Sequence, residues 1–273
     1  RVTRGSRTAG QAIKAARVPV TKGATGDWTA STKRSRRRTK PAAKPAAKMS
    51  VVQTKESQAA MTPSKALDAL KEGNKRFRAG TSVQKNLLAK VKASAAGQYP
   101  FAVVLGCMDS RVPVETVFDQ SIGDLFSIRV AGNVVNADNL GSLEYAAKVI
   151  GVKTIVVLGH TSCGAIKGAI DDVKLGNLTE LVAKIQPAVA ASGPGTSKDH
   201  AYVDKVGEQN VRHAMKEILE MSPLLKELRD SGAVGRRRGD FACRRSHPGG
   251  RRRDCQWRVE GEAPAGDRSP ETR

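Results

Sequence analysis

Two short apolar runs, each ending in side chains that can bind metal or move protons, constrain this chain more than any other feature. Residues 101–111 read FAVVLGCMDSR, and residues 153–164 read KTIVVLGHTSCG. Both runs are rich in Val, Ile and Leu, and both lead into a Gly-containing turn. That is the pattern of parallel strands buried on both faces. Polar groups just past the carboxyl ends of such strands fall where open α/β sheets place their sites. The pattern therefore predicts that Cys107, Asp109, Arg111, His160 and Cys163 meet at one edge of one sheet.

Around these strands the periodicity is helical. From Thr62 a stripe of Leu67, Leu70 and Phe77 runs to Gly80, with Ser64 as its expected cap. A second helix is predicted over 83–95. Both precede the first strand, so they form a helical arm outside the strand–helix alternation. A short helix is expected after Pro113, a strand over 125–133 and a helix over 139–151. Further helices are predicted from Cys163 to Leu175, over 177–191 and over 200–221. The last, 222–232, has Ser222 as N-cap, Pro223 at the first helical position and Gly232 as stop. Strands alternating with helices predict an α/β fold: a mainly parallel central sheet flanked by helices, with the N-terminal arm beside it.

Charge separates this middle from its ends. The chain of 273 residues carries a net charge of +21, of which residues 1–48 hold +13 and residues 235–273 hold +5. Residues 49–234 are near neutral and read as one catalytic domain. The leader is rich in Arg, Lys, Ser and Ala and cannot bury enough apolar surface to order itself. It reads as a transit peptide, a nonspecific phosphate-binding arm centred on RSRRRTK at 34–40, or a segment outside the native protein, with Met49 as the start. The third is preferred, and with it a cytoplasmic location; an organellar one follows from the first. Residues 235–273 contain Arg clusters and Gly/Pro breakers without period, and are expected to be disordered. Nucleic-acid binding is expected only as nonspecific contact through these tails, because aromatics are too few for a stacking surface. No run of 18 apolar residues predicts a membrane span.

The chemistry follows from residue type. Along an extended backbone Cys107, Asp109 and Arg111 share one side. His160 and Cys163, three apart across a turn, can reach one ion. Zinc (Zn2+) takes thiolate and imidazole ligands tetrahedrally, and a catalytic site keeps one position for water, which zinc can ionise near neutral pH. Cys107, His160 and Cys163 supply three ligands, and Asp109 is the candidate fourth in a closed state. Arg111 can hold Asp109 in a bidentate pair. Backbone N–H groups of Gly164 and Ala165 would favour the thiolate of Cys163 or bind an anion such as bicarbonate. Each motif alone would be weak, since a buried Cys is most often a small hydrophobe. A redox dithiol is the competing chemistry, although neither Cys lies in a CxxC pair. Cys243, His247 and Cys255 match no finger spacing and read as tail.

With CMDSR, HTSCG, the intervening DQSIGDLFSIRVAGN and GSLEYA in hand, residues 62–232 resemble the β-class carbonic anhydrases. The resemblance implies zinc on Cys107, His160 and Cys163, an Asp109–Arg111 catalytic dyad, and reversible hydration of carbon dioxide to bicarbonate and a proton. It also implies a substrate pocket of Gln120, Phe126, Ala131, Tyr145 and Gly164, some of them from a partner subunit. A homodimer or higher assembly follows, with the N-terminal helices embracing the neighbour. Members gated by bicarbonate carry a Trp where this chain has Val104. Arg129 matches one residue of that second anion site, and an ungated or only pH-gated enzyme is expected. The departure lies after Gly235, where the family continues with an apolar strand and this chain turns Arg-rich, as translation in a shifted frame would produce. A noncatalytic zinc scaffold is the alternative, against which the intact Asp109 and Arg111 stand.

A chain beginning at Met49 is expected to keep its rate of carbon dioxide hydration in stopped-flow assays. It should lose the share of any steeply salt-dependent nucleic-acid binding that the leader carries. Lost hydration would tie the leader to the catalytic domain.

Overall fold

The first apolar run forms β1, Ala102–Gly106, buried at every position. The second forms β3, Thr154–His160, buried along its whole length. Between them in sequence, Leu125–Arg129 forms β2. The protein is described by a computed structural model over residues 52–243 and 255–259, with side chains described for 52–235. β1 lies between the other two and pairs in parallel with both, so Gly106 stands opposite Arg129 on one side and Leu158 on the other.

Both faces of this sheet are covered, which is why the runs are apolar without alternation. Val104, Val156 and Leu158 point into one core cluster with Phe101, Leu70 and Phe118. Val103, Leu105, Ile155 and Val157 point into the opposite one with Leu143, Val211 and Ile218. A third cluster, at the carboxyl edge, gathers Cys107, Cys163, Val134, Ile166, Ile185 and Val206.

The N-terminal arm consists of α1 (Lys55–Ala59), α2 (Pro63–Ala79) and α3 (Leu87–Ala93). The cap of α2 is Thr62, whose side chain accepts from Lys65 N, rather than Ser64; Pro63 at the first position explains the earlier start. Gly73 lets α2 press its backbone against Phe118, where a Cβ would come within 1.7 Å of the carbonyl oxygen. α3 is shorter than predicted because Asn86 caps it by accepting from Ala89 N.

After β1 come α4 (Val114–Val117) and, past β2, α5 (Ala137–Glu144), which runs into a wider turn over Tyr145–Ile150. α6 (Gly164–Ile170) stops before Leu175, with Asp172 in the left-handed region at φ 49°. The helix predicted over 177–191 is two, α7 (Leu178–Ala183) and α8 (Gln186–Ser192). Pro187 explains the break: it fits a first turn and clashes inside a helix. α9 (His200–Met221) and α10 (Pro223–Asp230) follow, and Ser222 caps α10 by accepting from Leu225 N.

The expectation of disorder after Gly235 does not hold for two segments. Gly235–Cys243 forms β4, parallel to β3, and Cys255–Val259 forms β5, antiparallel to β4. The sheet order is β2-β1-β3-β4-β5. Without β4, the edge of β3 would leave a row of backbone groups unpaired, and ladder bonds need no particular side chain. Apolar patterning therefore gave no sign of them. Residues 1–51, 244–254 and 260–273, which include the leader and His247, lie outside the described residues.

Asp119 ties the arm to the sheet. Its buried carboxylate accepts from Arg76 Nε at 2.7 Å and from Val83 N at 3.1 Å, and Lys85 Nζ lies 3.1 Å away. Burial pushes its pKa up, but these bonds outweigh burial and the pKa is lowered. A lowered folded-state pKa contributes stability that is present above the unfolded value, near 3.9, and lost as pH falls through the folded one. Asp119→Asn is expected to cost about 3 kcal/mol at pH 7 in urea unfolding. The gap between variant and wild type should narrow below about pH 4; a gap that is constant with pH would remove the ionic argument.

Candidate metal and catalytic site

Parallel pairing of β1 and β3 delivers both motifs to the same edge. Cys107 follows the last residue of β1, and His160 is the last residue of β3. Cys163 then caps α6 after a turn in which Ser162 takes a positive φ of 54°. Asp204 holds that turn by accepting from Ser162 N at 3.0 Å.

The three candidate ligand atoms lie within 4.8 Å of one another, and all three residues are buried. The two sulfurs are 3.9 Å apart. Tetrahedral zinc with about 2.3 Å bonds to thiolates sets them roughly 3.8 Å apart. His160 Nδ1 lies 3.0 Å from the Thr161 carbonyl oxygen. A carbonyl can only accept, so Nδ1 carries the proton and Nε2 keeps its lone pair. Nε2 is buried and has no hydrogen-bond partner among the described residues. A buried acceptor without a partner costs about 1–3 kcal/mol, a deficit that a cation among these atoms would remove. The donor set therefore fits a zinc ion.

The thiols share a proton. The bond from Cys163 holds the Cys107 thiol down to about 4, against burial, with help from the Asp109 and Gly132 backbones. The same contact and burial push Cys163 up, although the N–H groups of Ala165 and Ile166 favour its thiolate. The backbone donors are thus Ala165 and Ile166 rather than Gly164 and Ala165.

Asp109 and Arg111 pair as expected, by a different route. The backbone does not stay extended: it turns after Asp109, and Arg111 N donates to Asp109 Oδ1 at 2.9 Å. The guanidinium then adds Nε to Oδ1 at 2.9 Å and Nη2 to Oδ2 at 2.7 Å. Hydrogen bonds from Arg111 hold the Asp109 carboxyl far below the usual carboxylate range. Its Oδ2 lies 3.9 Å from His160 Nε2, so an ionised carboxylate faces the ligand atoms.

The remaining pocket residues divide. Ala131 and Gly164 adjoin Gly132 and Cys163, beside the ligands. Phe126 and Tyr145 meet in a separate open groove of about 670 Å³ on the β2 side, with Ile128, Ala137 and Gly141. Gln120 turns away and donates to the Phe118 carbonyl at 2.8 Å.

Two further residues support the site. Gly132 N donates to Cys107 Sγ at 3.4 Å, and Asn210 Nδ2 of α9 donates to the Gly132 carbonyl at 2.7 Å. Gly132 has a φ of 67°, and an added Cβ would meet Ile185 Cδ1 at 2.7 Å, so any other residue would be strained here and Ile185 would have to shift. Asn210 carried a readable signal: a polar residue on the apolar stripe of Val203, Val206, Val211 and Ala214.

A family model described as carbonic anhydrase matches residues 102–235. The chain is 38% identical over 178 residues to "Carbonic anhydrase 2" of Mycobacterium tuberculosis, covering 63% of this chain and 84% of that protein. It is 39% identical over 162 residues to "Carbonic anhydrase" of Mycolicibacterium smegmatis, covering 57% and 77%. The fold matches a crystal structure among the tetrameric β-carbonic anhydrases of Sordaria macrospora, with a TM-score of 0.52 at 24% identity over 62% and 85% of the chains.

Asn210→Leu removes the donor that fixes the Gly132 turn. Zinc affinity, measured by chelator competition, is expected to fall about 10–100-fold. Unchanged affinity would show that Gly132 needs no such support.

Proposed function

The chain belongs to the β-class carbonic anhydrase family, and from that premise we propose zinc-dependent, reversible hydration of carbon dioxide to bicarbonate and a proton. The observation that carries the zinc reading is the buried set of two thiols and an unpartnered imidazole nitrogen within 4.8 Å, faced by an ionised carboxylate. Cys107, His160 and Cys163 would hold the ion. When bound, it supplies the Lewis acidity that lets water ionise near neutral pH.

The chain's own residues do the rest. Asp109 cannot act as an acid near neutrality, because Arg111 keeps it ionised. It therefore accepts a hydrogen bond, and its fixed Oδ2 orients the attacking hydroxyl so that a lone pair meets the carbon of carbon dioxide. Arg111 needs both its backbone N–H and its guanidinium for this, and a point-charged Lys could not reproduce the fork. One water is consumed, a C–O bond forms, and the proton released passes to solvent buffer.

The pocket is completed by assembly. Tyr145 is exposed at the groove, Val149 is exposed one turn further on, and Leu87, Leu88 and Val91 are exposed on α3. Such apolar surface fits a homodimer or higher assembly in which a second copy brings Phe126, Tyr145 and Gln120 towards the ligands. Val104 is fully buried in the core, where it can contact no second anion, in keeping with an ungated enzyme.

Stopped-flow hydration at about pH 8.5, near the unperturbed thiol pKa, with zinc assayed in parallel, tests this reading. Wild type is expected to turn over with one zinc per chain. Cys163→Ala should lose both zinc and turnover, whereas Asp109→Asn should keep zinc and lose about 10²–10⁴-fold in kcat. Folded wild-type protein without zinc would overturn the proposal.

A further inference from the structure

Arg129 ends β2, and neither the catalytic dyad nor the ligand set uses it. The regular ladder between β2 and β1 closes with Val130 N donating to the Gly106 carbonyl at 3.1 Å. Beyond that rung, residues 107–109 belong to no helix or strand. The Asp109 carbonyl accepts from Val112 N at 3.0 Å within the turn, but each carbonyl oxygen has two lone pairs and room for a further donor. Arg129 supplies two: Nε donates to the Cys107 carbonyl at 3.0 Å and Nη2 to the Asp109 carbonyl at 2.5 Å. One planar fork thus continues the ladder with a side chain, spanning a candidate ligand and the dyad carboxylate.

The consequence concerns where the Asp109 carboxylate rests. It stands on Arg111, yet Oδ2 is only 3.9 Å from His160 Nε2. A modest turn of the loop would carry a carboxylate oxygen in among the ligand atoms and fill the position meant for water. Arg111 restrains the side chain, and Arg129 restrains the backbone beneath it. We propose that Arg129 is a positioning residue that clamps the 107–109 loop, keeping Asp109 on Arg111 and out of the ligand cluster. The effect on catalysis rests on the carbonic anhydrase reading; the clamp itself does not. Two of the five N–H donors of Arg129 are thus committed to loop carbonyls. Lysine has no rigid fork and cannot replace both bonds at once.

Arg129→Gln and Arg129→Lys in the full chain test the clamp. In metal-free protein, amide hydrogen exchange across 107–111 is expected to speed about tenfold or more in Arg129→Gln, with β1 and β3 unchanged. Unchanged exchange over 107–111 overturns the proposal. In zinc-loaded protein, Arg129→Gln should lower kcat about 10–100-fold with KM little altered, and Arg129→Lys should recover only part of it. In cobalt-loaded protein, azide should perturb the visible spectrum of wild type through the open position. It should fail to do so in Arg129→Gln and regain its effect in Arg129→Gln/Asp109→Ala. A cobalt-loaded Arg129→Gln protein that still responds to azide as wild type does overturns the proposal. Fast loop exchange in the variant, beside a wild type that hydrates no carbon dioxide, supports the clamp and sinks the catalytic reading alone.

Discussion

Everything chemical in this molecule depends on the parallel pairing of β1 with β3. Because Gly106 and Leu158 stand opposite each other, the residues that follow each strand emerge at one edge, within a few ångströms. An antiparallel pair would send Cys107 and His160 to opposite ends. Parallel pairing in turn requires crossover connections and coverage of both faces. The helices packed on either face are thus a condition of the site as much as of stability.

Burial then sets the character of the cluster. Two thiols at 3.9 Å in an apolar surround cannot both ionise without a cation, so Cys107 is pushed down and Cys163 up. An imidazole nitrogen with no partner adds a third demand of the same sign. Asp109, by contrast, is stabilised as a carboxylate from outside the cluster, through Arg111. The arrangement separates the groups suited to hold a cation from the one suited to accept a hydrogen bond, although all lie at the carboxyl ends of two neighbouring strands.

The periphery shows how the sheet deals with its edges. β4 covers β3 on one side through backbone pairing. On the other side β2 is half exposed, and its groove holds Phe126 and Tyr145 away from the ligands. This single chain therefore contains the candidate ligand set and the Asp109–Arg111 pair in full but leaves part of the expected pocket facing outwards, in keeping with a role for assembly.

Sequence alone determined which side chains would meet. The two apolar runs specified buried parallel strands, and strand ends are places where position along the chain translates directly into position in space. That is why Cys107, Asp109, Arg111, His160 and Cys163 were legible together. Helix existence was also legible, whereas boundaries such as Thr62 for Ser64, or the break before Pro187, turned on local capping and sterics. Only the tertiary structure decided how the loop after β1 is held. The turn that brings Arg111 onto Asp109, the carbonyls taken by Arg129, and the chain from Asn210 through Gly132 to Cys107 join residues up to 78 positions apart. Backbone hydrogen bonds leave no periodic trace in side chains. For the same reason β4 and β5 could be seen only once the open edge of β3 was in place to receive them.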